Sequence, residues 1–200
     1  MNVVFKGLII GSLILLTACA SPLTKQELES IHTVGVVNGF PESPNFVNIG
    51  TTVFNNEYDE VSDPTLKGFV TNEVLSQIKL RGYSAEISEN IADENVDLVM
   101  VIVPREIYNM IGTYGYGFYQ RSMFSVSVFE KSYIALNLRP TTKGSSRCDT
   151  CYGQSMTDLP ISEMPEKWSE LEDSKQEEFI KILKQDIKNA VKVAFEKTGL

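Results

Sequence analysis

DLVMVIV, residues 97–103, is the most hydrophobic run of the chain beyond its first nineteen residues. Apart from Asp97 it has no polar member, and Val99, Val101, Ile102 and Val103 are β-branched. Such a run, too short for an ordinary helix, predicts a central strand buried on both faces. Ile107 and Tyr108 are expected to extend it past Pro104. A strand covered on both faces needs neighbours at its edges and layers above and below it, so the rest of the chain is read for those partners.

Thr33–Asn38 (TVGVVN) is a second buried strand, broken by Gly39, Pro41 and Pro44. Phe46–Phe54 is a third β-rich run, closed by Asn55-Asn56. Asp63-Pro64 starts a helix, with Asp as the cap and Pro at the first turn. Leu66, Phe69, Val70, Val74, Leu75 and Ile78 follow at helical spacing, and Gly82 stands where a left-handed C-terminal cap belongs. Tyr83, Ala85 and Ile87 alternate as in a strand, and residues 88–96 form an acidic loop. Phe124-Val126-Val128 and Tyr133–Leu138 are strand. Residues 140–146 turn with Lys143-Gly144 at the tip, and Cys148–Met156 returns as the partner strand. After a connection carrying the only Trp, Trp168, a long helix opens at Ser174 with Glu177 in capping-box spacing, and Gly199 closes it.

This order predicts an α/β fold: a single mixed sheet with two main helices packed on one side. The pattern of Thr33–Asn38, the helix from Asp63 to Gly82, Asp97–Val103 and the hairpin from Ile134 to Gly153 resembles a set of periplasmic lipoprotein domains. These have the anticodon-binding-domain-like sandwich, as in curli-secretion lipoproteins and lipoproteins that activate penicillin-binding proteins. The likeness is one of pattern, not of invariant motif; it implies the fold and leaves the activity open.

The first residues carry one positive charge, Lys6, and an apolar run from Gly7 to Leu16, too short to span a bilayer securely. The run ends in Leu16-Thr17-Ala18-Cys19, which resembles the bacterial lipoprotein signal at all four positions. That resemblance implies a diacylglyceryl thioether on Cys19, cleavage before it, and acylation of the new amino terminus. Several acyl chains hold a protein stably where one does not. Ala20-Ser21, in place of an Asp after Cys19, implies for a Gram-negative cell the outer membrane, on its periplasmic face. The expected organisation is a signal over residues 1–18, a lipidated tether over 19–30, and one α/β domain over 31–200.

The 200 residues carry a formal net charge of -8, one unit more negative once Lys6 leaves with the signal. An acidic chain repels nucleic acid and gains nothing from anionic headgroups, so the lipid must do the anchoring. Cys148 and Cys151 are the cysteines left after lipidation. Their C-x-x-C spacing suits a disulfide pinning a hairpin in an oxidising compartment. Redox activity is the other reading, although the helix start that lowers a thiol pKa is missing. Two Cys without a second pair cannot complete a zinc site. His32, the only histidine, sits at a strand entrance and has no partner for nucleophilic catalysis. Glu57, Asp59 and Glu60 lack the spacing of a calcium loop.

Residues 108–124 interleave Gly112, Gly115 and Gly117 with aromatics but match no phosphate-binding pattern. Tyr114, Tyr116, Phe118 and Tyr119 are therefore expected to form a partner-contact loop; the alternative is that they fold back on the core. The sequence predicts no enzyme, cofactor or metal. It predicts a lipid-anchored interaction or assembly accessory of the cell envelope, bound to the membrane through Cys19 and to an envelope protein or glycan. A homo-oligomer is compatible with it. The alternatives are a subunit of an oligomeric export channel, for which only residues 108–129 could span, and a thiol–disulfide protein.

Overall fold

A computed structural model describes residues 23–123, 126–142, 145–161 and 164–200. The expected leader 1–18, Cys19, Phe124 and the Lys143-Gly144 tip lie outside the described residues. Among the described residues one mixed sheet of nine strands forms, with helices packed on it.

DLVMVIV supplies its centre. Strand β5 (Leu98–Pro104) buries Leu98, Met100 and Ile102 on one face and Val99 on the other. On one edge β1 (Thr33–Asn38) runs parallel to it, and β4 (Ser84–Ile87) runs parallel to β1. On the other edge lies β7 (Val126–Thr142), antiparallel and seventeen residues long. Only its second half pairs with β5. Its first half pairs with β6 (Tyr116–Met123), so β5 and β6 lie end to end along one edge of β7. The same holds one row out. β2 (Asn45–Ile49) continues β1 and runs parallel to β6, with β3 (Glu57–Glu60) antiparallel outside it. The opposite edge of β7 carries β8 (Ser145–Ser146) and β9 (Tyr152–Asp158).

Alternation sorts the side chains. One face bears Val34, Val36, Phe46, Met100, Tyr116, Phe118 and Leu136, which join the core with α2 (Thr65–Leu80) and α3 (Asp173–Phe195). Asp63 caps α2 as expected, its Oδ1 accepting the Thr65 amide at 2.9 Å. Helix α3 begins after Glu172 with no side-chain cap, so the Ser174–Glu177 box does not form. It rides close over β9: a Cβ on Gly153 would lie 2.0 Å from the Ala190 carbonyl oxygen, so only glycine fits. Buried Asp186 of α3 accepts from Ser155 Oγ (2.6 Å) and Thr157 Oγ1 (2.8 Å) of β9. Trp168 is buried in the core, stacked on Phe118 with ring centroids 5.2 Å apart.

Several expectations are corrected. The third β-run ends at Ile49, and Val53–Asn55 is a 3-10 turn. EYDE forms β3, and Asp59 Oδ2 accepts the Trp168 amide at 2.9 Å, holding the connection into α3. The returning strand starts at Tyr152, because the disulfide loop occupies residues 148–151. Residues 23–30 of the expected tether are folded. Leu23 and Ile31 are buried, and α1 (Lys25–Ser30) is capped reciprocally by Thr24 and Glu27. Glu27 also meets Arg147 at 2.8 Å. This segment belongs to the packed domain, not to a free linker.

The docked α1 shares one end of the sheet with the start of β1 and the C-terminal ends of α2 and α3. Arg81, at the end of α2, donates to the Leu200 carbonyl at 3.2 Å. Cys151 Sγ lies 3.1 Å from the Lys197 carbonyl. From this end, where the described chain begins, β7 runs back about 55 Å, at ~3.3 Å per residue, to the hairpin it makes with β6.

Candidate functional site

The sheet face away from the helices is covered in two places. Residues 88–97 lie over β1, where Ser88 and Val96 crowd Gly35. Residues 105–115 lie over the far half. This second segment is an excursion from a strand that otherwise continues. The Arg105 amide donates to the Ala135 carbonyl at 3.0 Å, the Ala135 amide to the Gly115 carbonyl at 2.8 Å, and the Gly115 amide to the Arg105 carbonyl at 2.9 Å. Arg105 and Gly115 thus share one partner on β7, and everything between them is thrown out of the sheet. Ile107 and Tyr108 do not extend β5 as expected; they enter this loop.

The loop is held from inside. Buried Thr113 accepts the Ile107 amide at 3.1 Å and donates to the Met110 carbonyl at 2.7 Å. Gly112 has φ 82°, and its missing Cβ makes room for the Tyr58 ring of β3, which a methyl group would meet at 2.5 Å. Ile107 and Met110 point down and complete a second small core with Val47, Ile49, Tyr119, Tyr133 and Ala135. The remaining side chains point out. Tyr108 is 89% exposed, Ile111 67% and Tyr114 48%, with Tyr58 beside them at 59%.

Next to the loop a groove of about 590 Å³ crosses the sheet, lined by Tyr108, Asn109, Met110, Tyr119, Arg121, Phe129, Gln154 and Met156. Its walls are mostly apolar, with Arg121, Asn109 and Gln154 as hydrogen-bonding groups. Lys131 packs its ammonium 4.6 Å from the Phe129 ring and pairs with Asp158. Aromatic and thioether walls with a few amide and guanidinium groups suit recognition of an apolar segment.

The phenols here are acids held in their neutral form. Burial pushes Tyr133 up to about 12, although Asn45 Nδ2 donates to its hydroxyl at 3.4 Å. Burial likewise raises Tyr116, Tyr119 and Tyr152. None is placed to serve as a base near neutral pH.

Of the four expected contact residues, only Tyr114 is exposed. Tyr116, Phe118 and Tyr119 are a correction: they form strand β6, and all are at least 98% buried. Tyr116 and Phe118 face the helices, and Tyr119 lies under the loop. Glycines between aromatics here belong to a pleated strand with both faces covered. The strongly exposed apolar side chains lie a few residues earlier, at Tyr108 and Ile111. Sequence reading passed over these because Ile107-Tyr108 continues the apolar pattern of β5.

Cys148 and Cys151 are bonded to each other and are 2% and 0% exposed. The bond closes the turn before β9, which packs against the chain that follows α3. No helix starts at the pair, and burial keeps an attacking thiol away from either sulfur. His32 is exposed, and its amide and that of Thr33 donate to Asp97 Oδ2 at 2.8 and 2.9 Å. These amides hold the Asp97 carboxyl below its ordinary value, that of Thr33 contributing most. Among the described residues no three His, Cys, Asp or Glu side chains converge as a metal site, and no helix is long and apolar enough to cross a membrane. No protein-family model matches the chain, and no curated protein is detectably similar to it.

Proposed function

We propose that this chain is a lipid-anchored accessory protein of the bacterial envelope, tethered at Cys19 to the periplasmic face of the outer membrane, which recognises another envelope protein without catalysing a reaction. In this reading the mature domain is a variant of the anticodon-binding-domain-like sandwich of periplasmic lipoproteins. The single observation that carries the recognition role is the loop 105–115. A strand is interrupted to build a loop braced by Thr113 and Gly112, whose outward side chains are Tyr108, Ile111 and Tyr114. Ile107 and Met110 suffice to cover the sheet. The exposed aromatics beside a mostly apolar groove are not needed to cover the sheet, and such patches mark interaction sites.

A protein partner is favoured over a glycan because the exposed side chains here include the non-aromatic Ile111 and Met156, which suit apolar side chains better than sugar rings. The docked α1 supports the anchoring role. Residues 20–22 alone separate Cys19 from buried Leu23, a span of at most about 14 Å. The lipid would thus hold the domain against the bilayer by its anchor end and present the loop at a set height.

The test places a photo-crosslinking residue at Ile111 of the full-length protein in intact cells, with a control at exposed Lys181 on α3. The expected result is an adduct with an envelope protein from position 111 and none from position 181. Equal adducts from both positions, or none from 111, would remove the recognition role. Loss of membrane association and of the lipid in Cys19→Ser checks the anchor separately.

A further inference from the structure

We infer that the outer edge of β9 is a pairing edge, where an extended segment of the partner protein adds to the sheet as a further strand. The inference rests on the reading that this side of the domain binds an envelope protein, and it specifies how.

The backbone directions on β9 follow from two hydrogen bonds at its ends. The Leu138 amide donates to the Cys151 carbonyl at 2.9 Å, and the Leu159 amide to the Glu130 carbonyl at 3.0 Å. In an antiparallel ladder bonded pairs alternate with unbonded ones. Gly153, Ser155 and Thr157 therefore exchange bonds with β7, and Gln154, Met156 and Asp158 turn their N–H and C=O groups away from it. The partner strand agrees: Ala135, opposite Gln154, directs its own backbone to Arg105 and Gly115 on the other side. At Tyr152 the outward groups are satisfied, the amide by Thr150 and the carbonyl by Lys197 Nζ. Among the described residues nothing bonds the outward backbone groups of Gln154, Met156 and Asp158.

The other sheet edges are protected against such pairing. β3 has four residues, three of them acidic, and β4 has four with Glu86 among them. Short, charged edges resist strand addition. β9 has seven residues, and its one charged member, Asp158, is paired with Lys131. Moreover, Gln154 and Met156 line the groove described above, with Phe129 beside them. A strand added at this edge would set alternate side chains on that face, next to Met156.

A second copy of this chain is a poor occupant. A two-fold β9–β9 ladder runs antiparallel, so the anchor ends of the two copies would point in opposite directions. Links of at most about 14 Å could not bring both lipids to one bilayer. The fitting occupant is an extended segment of a different protein, free of Pro where it bonds Gln154 and Met156, with an apolar residue beside Met156.

The test uses the full-length, lipidated protein in intact cells. A photo-crosslinking residue at Gln154 or at Asp158 should trap one protein, at sites separated by two to four residues of a single segment. Met156→Pro removes an outward N–H and no β7–β9 bond. It should lower the yield about tenfold, as expected for one or two lost backbone bonds, whereas Met156→Ala, which keeps the backbone, should change it less. Trapping of a second copy, scattered sites, no adduct, or a Met156→Pro yield equal to wild type would each overturn the inference. If position 111 still traps the partner when 154 does not, the strand addition alone fails; silence at both removes the underlying reading as well. Should Met156→Pro fail to fold, amide exchange of the unaltered protein decides. Gln154 and Met156 should exchange at least about tenfold faster than Ser155 and Thr157, and equal protection would contradict the open edge.

Discussion

Asp97, at the head of DLVMVIV, accepts two backbone amides at the entrance to β1. Its folded pKa is lowered, so its contribution is present above the unfolded value of about 3.9 and is lost as pH falls through the folded value. Stability should therefore drop below about pH 4. In Asp97→Asn the acid limb of a urea-midpoint profile should be shallower; an unchanged limb would mean the carboxylate does not act this way. Asp186 is the more consequential residue, because it is buried and serves two hydroxyls. Asp186→Ala removes both hydrogen bonds to the charged carboxylate and should cost about 2–3 kcal/mol, measured by urea unfolding. Residue roles of this kind were only partly legible in the sequence. The Asp63 cap could be read because a cap is local. Asp59, set aside as a failed calcium loop, holds the Trp168 amide 109 residues away, a pairing no local pattern reveals.

Among elements, those with a strong period were readable: β1, β5 and α2 follow from β-branched runs and helical spacing, whereas α3 ends at Phe195, short of the expected Gly199. Elements that owe their form to a neighbour were not. β3 is a strand because β2 pairs with it, although EYDE, with three acidic residues in four, carries no strand pattern of its own. β6 looks like a loop, with glycine next to aromatic residues, because burial on both faces hides the alternation of a half-buried strand. The loop 105–115 combines two jobs that substitution can separate. Ile107→Ala together with Met110→Ala should cost several kcal/mol, about 2–5 for each fully felt truncation, because both side chains cover the sheet. Tyr108→Ala, Ile111→Ala and Tyr114→Ala should each leave stability within about 0.5 kcal/mol. A large stability loss from the second set, seen in thermal or urea unfolding, would mean that the exposed side chains serve the fold and not a partner.

On the scale of the molecule, the lipid is proposed to hold one end of the sheet, and the face away from the helices to recognise the partner. The Cys148–Cys151 bond closes the turn before β9, and its Cys151 sulfur packs 3.1 Å from the Lys197 carbonyl beyond α3. Its short loop limits its entropic contribution to about 2 kcal/mol. Cys148→Ser with Cys151→Ser should lower the unfolding free energy by about that much and leave partner capture unchanged. A loss of capture without a loss of stability would instead revive thiol chemistry at the pair. The sheet with helices on one face was legible in the order of runs. Its stepped form was not, because β5 and β6 become one row only when Ala135 bonds to both Arg105 and Gly115. The central claim is that this row is interrupted in order to present a contact surface. The most direct measurement is in-cell crosslinking of the full-length protein carrying Tyr108→Ala, Ile111→Ala and Tyr114→Ala together, with lipidation and unfolding midpoint checked on the same sample. The account predicts an intact, membrane-bound domain that no longer captures its envelope partner. An intact domain that captures the same partner in the same yield would contradict it.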